Sequence, residues 1–300
     1  MHSVYDVVIV GCGPAGLTAA IYCARANKKV LILEKETIGG QMSSAPLIEN
    51  YPGFNSISGS ELANYMYEQV VSLGVNIELE EVKEIKVADK KTVVTEDNEY
   101  ETNAVIIATG SKYRLLGLEN EEQLIGNGIH FCVSCDGAFY KNKTVAVIGG
   151  GNSAVINALA LSELCQKVYL VQNLSKLTAE QILIDKLNSK SNIEIYASTT
   201  VKRIVGDAEL EKIILDKNSV LEELIIDGMF VSIGLIPQTD SVKNILDIND
   251  YGYITAENCI SKIPGIFVAG DCRDKKVKQV TVAVSDGTIA AINAIEYLNN

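Results

Sequence analysis

An α/β protein of two parallel-sheet domains, the first of them discontinuous, follows from three observations on this 300-residue chain. A β-branched strand runs into Gly11-x-Gly13-x-x-Gly16, then a helical stretch, then a second strand. The same plan recurs at Gly149-x-Gly151-x-x-Ala154. A last strand–glycine–helix piece then follows a unit that already has its closing strand, so it returns to complete the first domain. The expected boundaries are 1–113 plus 247–300 for the first domain and 114–246 for the second.

The first unit is "YDVVIVGCGPAGLTAAIYCARANKKVLILEK", residues 5–35. Its pattern predicts a strand over 7–10, a helix from 14 to about 26 and a strand over 29–33 that ends in Glu34. A strand–glycine turn–helix with an acid after the second strand is the fingerprint of a Rossmann-like dinucleotide site. Gly11 permits the tight turn, and Gly13 lets backbone approach a pyrophosphate seated on the helix N-terminus. Pro14 and Ala15 carry the chain into the helix. Gly16 brings helix and strand together, and Glu34 accepts from a ribose diol.

Residues 61–110 read as a helix, short strands and a buried strand ending in Ala108-Thr109-Gly110. The second unit, 143–173, predicts strands over 144–148 and 167–171 around a helix, and its third glycine is an alanine, which the motif tolerates. A further meander ends in Ser232-Ile233-Gly234, where the first half has Ala108-Thr109-Gly110. The halves are diverged copies of one three-layer architecture. The C-terminal piece gives a strand, a glycine turn with Asp271 and a long helix expected to start near Ser285-Asp286-Gly287.

A net charge of −12, from 38 acids and 26 bases, argues against nucleic-acid or anionic-membrane partners. No run reaches the ~20 apolar residues of a membrane span, and the N-terminus lacks a basic, then apolar leader. The expected location is the cytoplasm.

Seven cysteines stand at 12, 23, 132, 135, 165, 259 and 272. Five are scattered in apolar or glycine-rich contexts, where reduced, buried thiols are the rule. Cys132 and Cys135 form a CxxC followed at once by Asp136. A zinc site needs more ligands, but the histidines are His2 and His130 alone and no second CxxC exists, so no metal is expected. A disulfide with two residues inside closes too small a loop to act as a staple, and is better explained as an exchangeable redox pair.

Along nearly its whole length the chain resembles the low-molecular-weight thioredoxin reductases. The resemblance is carried by the GxGPAG turn, "GGQM" at 39–42, "IENYPGF" at 48–54 and "ATG" at 108–110. It continues through CxxCDG at 132–137, "GIFVAGD" at 265–271 and "KQV" at 278–280. It implies two domains of the FAD/NAD(P)-binding type, FAD in the first, a homodimer, and thioredoxin or a thioredoxin-like protein as partner. It places the flavin against Gly40, Gln41 and Asn50, with Thr109 and Gly110 nearby, Asp271 on the ribityl chain, and Gln279 and Val280 at the ring. It makes Cys135 the flavin-proximal sulfur, Cys132 the thiol that attacks the partner disulfide, and Asp136 the proton-transfer group. A carboxylate beside a thiolate suits acid–base work better than thiolate stabilisation. His130 is a rival base, and otherwise a surface or packing residue.

One stretch departs from the family. Its members follow the second Rossmann strand with His-Arg-Arg and a third arginine a few residues later, the arginines gripping the 2′-phosphate of NADPH; here "VQNLSKLTAE" puts Gln172, Asn173, Leu174 and Thr178 at those four positions. Lys176 is the only nearby cation, and Asn152 replaces the usual aspartate after the glycines. Gly149, Gly151, Asn152, Ser153 and Lys176 remain as candidates for a second nucleotide. Three donor readings stay open: weak NADPH binding, NADH, or electrons from ferredoxin or another low-potential carrier such as a deazaflavin. The carrier is set slightly ahead, and a flavin dithiol oxidase using oxygen is the alternative of a different class.

Overall fold

The computed structural model describes residues 4–300. The chain forms two units: one runs up to Lys112 and resumes over Ile236–Asn300, the other is Tyr113–Leu235. The return falls before the expected 247, because Val242 and Leu246 already pack in the first unit's core with Ile254 and Val268.

In the first unit Tyr5–Val10 lies between Val30–Leu33 and Glu99–Ile107, parallel to both, with Val7 opposite Val30 and Ala104. Asn76–Glu78 extends the sheet beyond Val30–Leu33, and the returning strand Ile266–Val268 pairs parallel with Val105–Ile107. An antiparallel pair, Glu84–Val87 and Lys91–Val94, joins the other half of Glu99–Ile107. Period-two alternation divides the central strand between two cores. Val7 and Ile9 pack with Leu17, Ala290 and Ala291 on one face, and Val8 and Val10 with Leu31, Val242 and Leu246 on the other. A parallel strand covered on both faces reads as a continuous apolar run, as Val7–Val10 does here.

The final helix is Val280–Asn299, capped by Gln279, and so begins earlier than the Ser285–Gly287 expected. The β-branched Val280-Thr281-Val282 hid its first turn, and Ser-Asp-Gly imitated a cap. Gly287 serves a different purpose: a Cβ there would stand 2.2 Å from the Ala15 carbonyl oxygen. Its absence lets this helix lie directly against the first helix, Pro14–Arg25.

The second unit repeats the plan. Its sheet runs Ile193–Tyr196, Lys167–Val171, Thr144–Ile148, Gly228–Val231, Ile129–His130, all parallel. Helix Asn152–Ser162 follows its glycine turn, and an antiparallel meander is formed by Thr199–Val205, Lys212–Lys217 and Val220–Ile225. The two segments through which the chain enters and leaves this unit, Ser111–Tyr113 and Leu235–Pro237, form a two-stranded ribbon. At its ends the Arg114 N–H donates to Gly234 O and the Gln238 N–H to Gly110 O.

Candidate active site

The first glycine turn is built on close backbone contacts. Gly11 has φ 107°, and a Cβ on it would sit 2.3 Å from Ala108 O; one on Gly16 would sit 2.0 Å from Gly11 O. Gly13 differs. It caps helix Pro14–Arg25 in an extended conformation, and nothing lies within 4 Å of where its Cβ would be. That space lies before a helix N-terminus, whose N–H groups and dipole favour an anion.

Glu34 is fixed beside the turn, its Oε2 accepting from Cys12 N–H at 2.7 Å and its Oε1 from Glu36 N–H at 2.8 Å. Each oxygen keeps a lone pair for a ribose hydroxyl. Glu34, Gly11, Thr109 and Gln238 line one cleft, where the Thr109 hydroxyl donates to Gln238 O. Gly110, at φ 69°, follows at the end of the strand. The chain after the second strand turns back, and Gly39 N–H donates to Cys12 O at 2.8 Å. Gly40 then passes close to Gly13, and Gln41 is exposed in the short helix Gly40–Ser44.

Asn50 Nδ2 donates to Gln279 Oε1 at 3.3 Å, next to Val280 at the start of the final helix. Asp271 sits in the turn Gly270–Cys272, and its Oδ1 is buried without a hydrogen bond. Lys275 Nζ lies 3.2 Å from that oxygen, but donates to Asp286 Oδ2 at 3.1 Å. Asp286 also takes Arg273 Nη2 at 2.8 Å and Gly270 N–H at 3.1 Å, so a buried carboxylate anchors the turn. An open cradle at Gly13, a fixed carboxylate at Glu34 and a buried Asp271 oxygen that lacks a hydrogen bond fit a bound flavin dinucleotide.

The second turn has the same backbone and a different occupant. Gly149 has φ 134°, with a Cβ position 2.5 Å from Ser232 O, and Gly151 caps Asn152–Ser162 as Gly13 caps its helix. Gln172 stands where Glu34 stands in the first unit. Its buried amide packs on Gly150, 2.3 Å from the place a Cβ would take. Thr178 N–H donates to Gly150 O at 2.8 Å, repeating the Gly39–Cys12 bond. Asn152 Nδ2 donates to Glu180 Oε1 at 2.9 Å, and Glu180 N–H to Asn152 Oδ1 at 2.8 Å. Ser153 is exposed, as is Lys176, which pairs with no acid among the described residues.

Cys132 and Cys135 are joined in a disulfide with Cα atoms 5.3 Å apart. Cys132 caps the single helical turn Val133–Asp136, and its carbonyl accepts from the N–H groups of Cys135 and Asp136. Asp136 Oδ2 lies 3.2 Å from His130 Nδ1, and His130 Nε2 lies 2.7 Å from the Tyr140 hydroxyl. His130 is buried at 5% exposure, so it is a packing residue that also touches the proposed acid. The other five cysteines are free and buried; burial pushes Cys12 and Cys23 up to about 12, and Cys165 and Cys259 up to about 11. Among the described residues no group of His, Cys, Asp and Glu is arranged to hold a metal, and His2 lies outside them. No helix among them is long and apolar enough to cross a membrane.

The pyridine nucleotide-disulphide oxidoreductase profile matches residues 5–287. The chain belongs to this family. A thioredoxin reductase of Bacillus subtilis is 39% identical over 305 residues, covering 99% of this chain and 96% of that protein. A Clostridium pasteurianum protein described as "34.2 kDa protein in rubredoxin operon" is 45% identical over 298 residues, covering 98% and 97%. The crystal structure of thioredoxin reductase from Streptococcus pyogenes superposes with a TM-score of 0.95 at 39% identity, covering 100% of this chain and 99% of that one. This member of the family is an oxidoreductase of the thioredoxin reductase type, and its cofactor is FAD.

Sequence reasoning passed over the packing of Gln172 on Gly150, and over Glu180, Tyr140 and the Arg273–Lys275–Asp286 cluster. The run of cations after Asp271 was the available signal for the last; nothing local marks the others.

Proposed function

We propose that this oxidoreductase passes electrons through FAD and the Cys132/Cys135 pair to thioredoxin or a thioredoxin-like protein, and receives them from ferredoxin or another low-potential carrier in place of NADPH. The observation that carries the donor reading is Glu180. Its carboxylate is tied to Asn152, the first residue of the helix behind the second glycine turn. A pyrophosphate would use that helix end, and a carboxylate beside it repels the phosphates. Gln172 supplies an amide where a ribose-binding acid would stand. The rubredoxin operon of the Clostridium pasteurianum relative supports a carrier-protein setting.

Gly11, Gly13, Pro14, Ala15 and Gly16 form the pyrophosphate cradle, with Glu34 on the ribose. Gly40, Gln41, Asn50, Thr109, Gly110, Asp271, Gln279 and Val280 hold the remainder. FAD, when bound, supplies a two-electron carrier that can reduce a disulfide. Cys135 receives the electron pair and Cys132 attacks the partner disulfide, with Asp136 moving the proton. The enzyme works in the cytoplasm as a homodimer.

The test is anaerobic bleaching of the flavin by NADPH, NADH and reduced ferredoxin in parallel, followed by reduction of oxidised thioredoxin. Fast bleaching by ferredoxin and slow bleaching by both nucleotides is expected. Rapid, saturating bleaching by micromolar NADPH would overturn the donor reading.

A further inference from the structure

We infer that His130 is a positioning residue for disulfide exchange: it holds the Asp136 carboxyl in a fixed orientation on the helical turn that carries both cysteines. The role presupposes the exchange chemistry proposed above, with Asp136 as its acid.

Three elements converge to build the contact. His130 ends the strand Ile129–His130, paired with Phe230 of the neighbouring strand, and its ring stacks on that side chain at 5.4 Å between centroids. Tyr140 meets His130 edge-on at 5.3 Å from the turn after the cysteine helix. Gly228 makes room for it, since a Cβ there would stand 2.2 Å from Tyr140 Cε1. The imidazole is thereby clamped between an aromatic floor and a phenol, with Nδ1 facing Asp136.

The hydrogen bonds assign the tautomer. Burial, then the charge of Asp136, pushes the Tyr140 phenol up to about 12, so it keeps its proton at neutral pH. Its O–H donates to His130 Nε2, which leaves Nδ1 as the protonated nitrogen, donating to Asp136 Oδ2. An imidazolium would also donate to Asp136, but the phenol proton would then find no acceptor among the described contacts. Burying the His130 and Tyr140 polar groups is costly unless they are satisfied, and in this chain of bonds ending at the partly exposed Asp136 they are.

The Cys132 thiolate attacks one sulfur of the partner disulfide, forming the mixed disulfide and breaking the partner S–S bond. The leaving sulfur takes the proton of Asp136. Cys135 then returns its thiol proton to Asp136 and attacks Cys132 Sγ, and the second partner sulfur departs as a thiolate. Asp136 must therefore be held on one line through two transfers, and Nδ1–H at Oδ2 holds it while leaving Oδ1 for the proton.

The test uses the holoenzyme, reduced with a phosphine and desalted without air, in single-turnover reaction with two small disulfides. Hydroxyethyl disulfide releases a poor leaving thiolate that needs an acid, whereas dithiobis(nitrobenzoate) releases a stable one that does not. His130→Phe should slow the first by about tenfold, a modest share of what general acids contribute, and change the second by less than about twofold. His130→Asn should restore the rate, because its amide nitrogen occupies the place of Nδ1. Tyr140→Phe should give a smaller loss with the same selectivity, and keeps the test open if His130→Phe does not fold. Equal slowing of both disulfides, or no slowing, would overturn the role of His130, provided Asp136→Asn itself is selective. If Asp136→Asn shows no selectivity, the acid assignment fails first and His130 has nothing to position.

Discussion

Asn152 and Glu180 bind each other in both directions across the second glycine turn, side-chain amide to carboxylate at 2.9 Å and backbone N–H to amide oxygen at 2.8 Å. Glu180 thereby places a carboxylate at the first residue of the helix behind the second glycine turn, where the first unit has Pro14. Glu180→Gln combined with Asn173→Arg and Leu174→Arg should therefore install NADPH binding. Charge-assisted hydrogen bonds contribute about 1.5–3 kcal/mol each, so two arginines should tighten NADPH by at least about a hundredfold over the parent. Nucleotide titration followed by flavin fluorescence checks this. An unchanged affinity would mean that Gln172, packed on Gly150, is the true block.

Two glycines of the first turn should fail in different ways. Gly13→Ala adds a methyl to open space, so the apoprotein should unfold at an unchanged temperature while its FAD content collapses. Gly16→Ala drives a methyl to 2.0 Å from Gly11 O. It should cost the fold about 1–3 kcal/mol or more whether or not flavin is present. Thermal unfolding with and without FAD, together with flavin released by heating, separates the two.

Much of this was legible in the sequence because backbone constraints repeat. Gly11 and Gly149 sit at corresponding turns, each with a closing-strand carbonyl where a side chain would go, and glycine at such a place is visible in one dimension. The strands 144–148 and 167–171 likewise read off their β-branched runs. What stayed hidden depends on side chains meeting across the fold. Asp286 looked like a helix cap until Arg273 and Lys275 were seen converging on it. Gln172 stood only at the family's histidine position, although its amide packs on Gly150. His130 and Asp136 are six positions apart, and no local pattern announces that Tyr140 lies on the other side of the ring.

Gly287→Ala sets two effects against each other. In a helix interior alanine is favoured over glycine by about 1 kcal/mol. At this position the methyl would meet Ala15 O at 2.2 Å. Backbone at that distance cannot yield, so overpacking of about 1–3 kcal/mol should win and lower the unfolding temperature. A rise in that temperature would show that the two helices can separate freely.

The free cysteines give a pH prediction. Native reduced protein should show two reactive thiols, Cys132 and Cys135, with the buried five appearing only on denaturation. Their thiols are held up in the folded state, to about 12 at Cys12 and Cys23 from an ordinary 9.0. The unfolded chain ionises first, so this stability is whole below pH 9.0 and declines as pH rises from there toward about 12. Denaturant midpoints from pH 7 to 11 check the sign, since Cys12→Ala with Cys23→Ala should flatten the alkaline fall.

The ribbon of Ser111–Tyr113 and Leu235–Pro237 makes the second unit a cassette. Its first and last residues, Tyr113 and Leu235, lie on the two paired strands of that ribbon. A lineage can then exchange this unit by substituting one contiguous stretch of gene, with the glycine turn at Gly11–Gly16 left outside it.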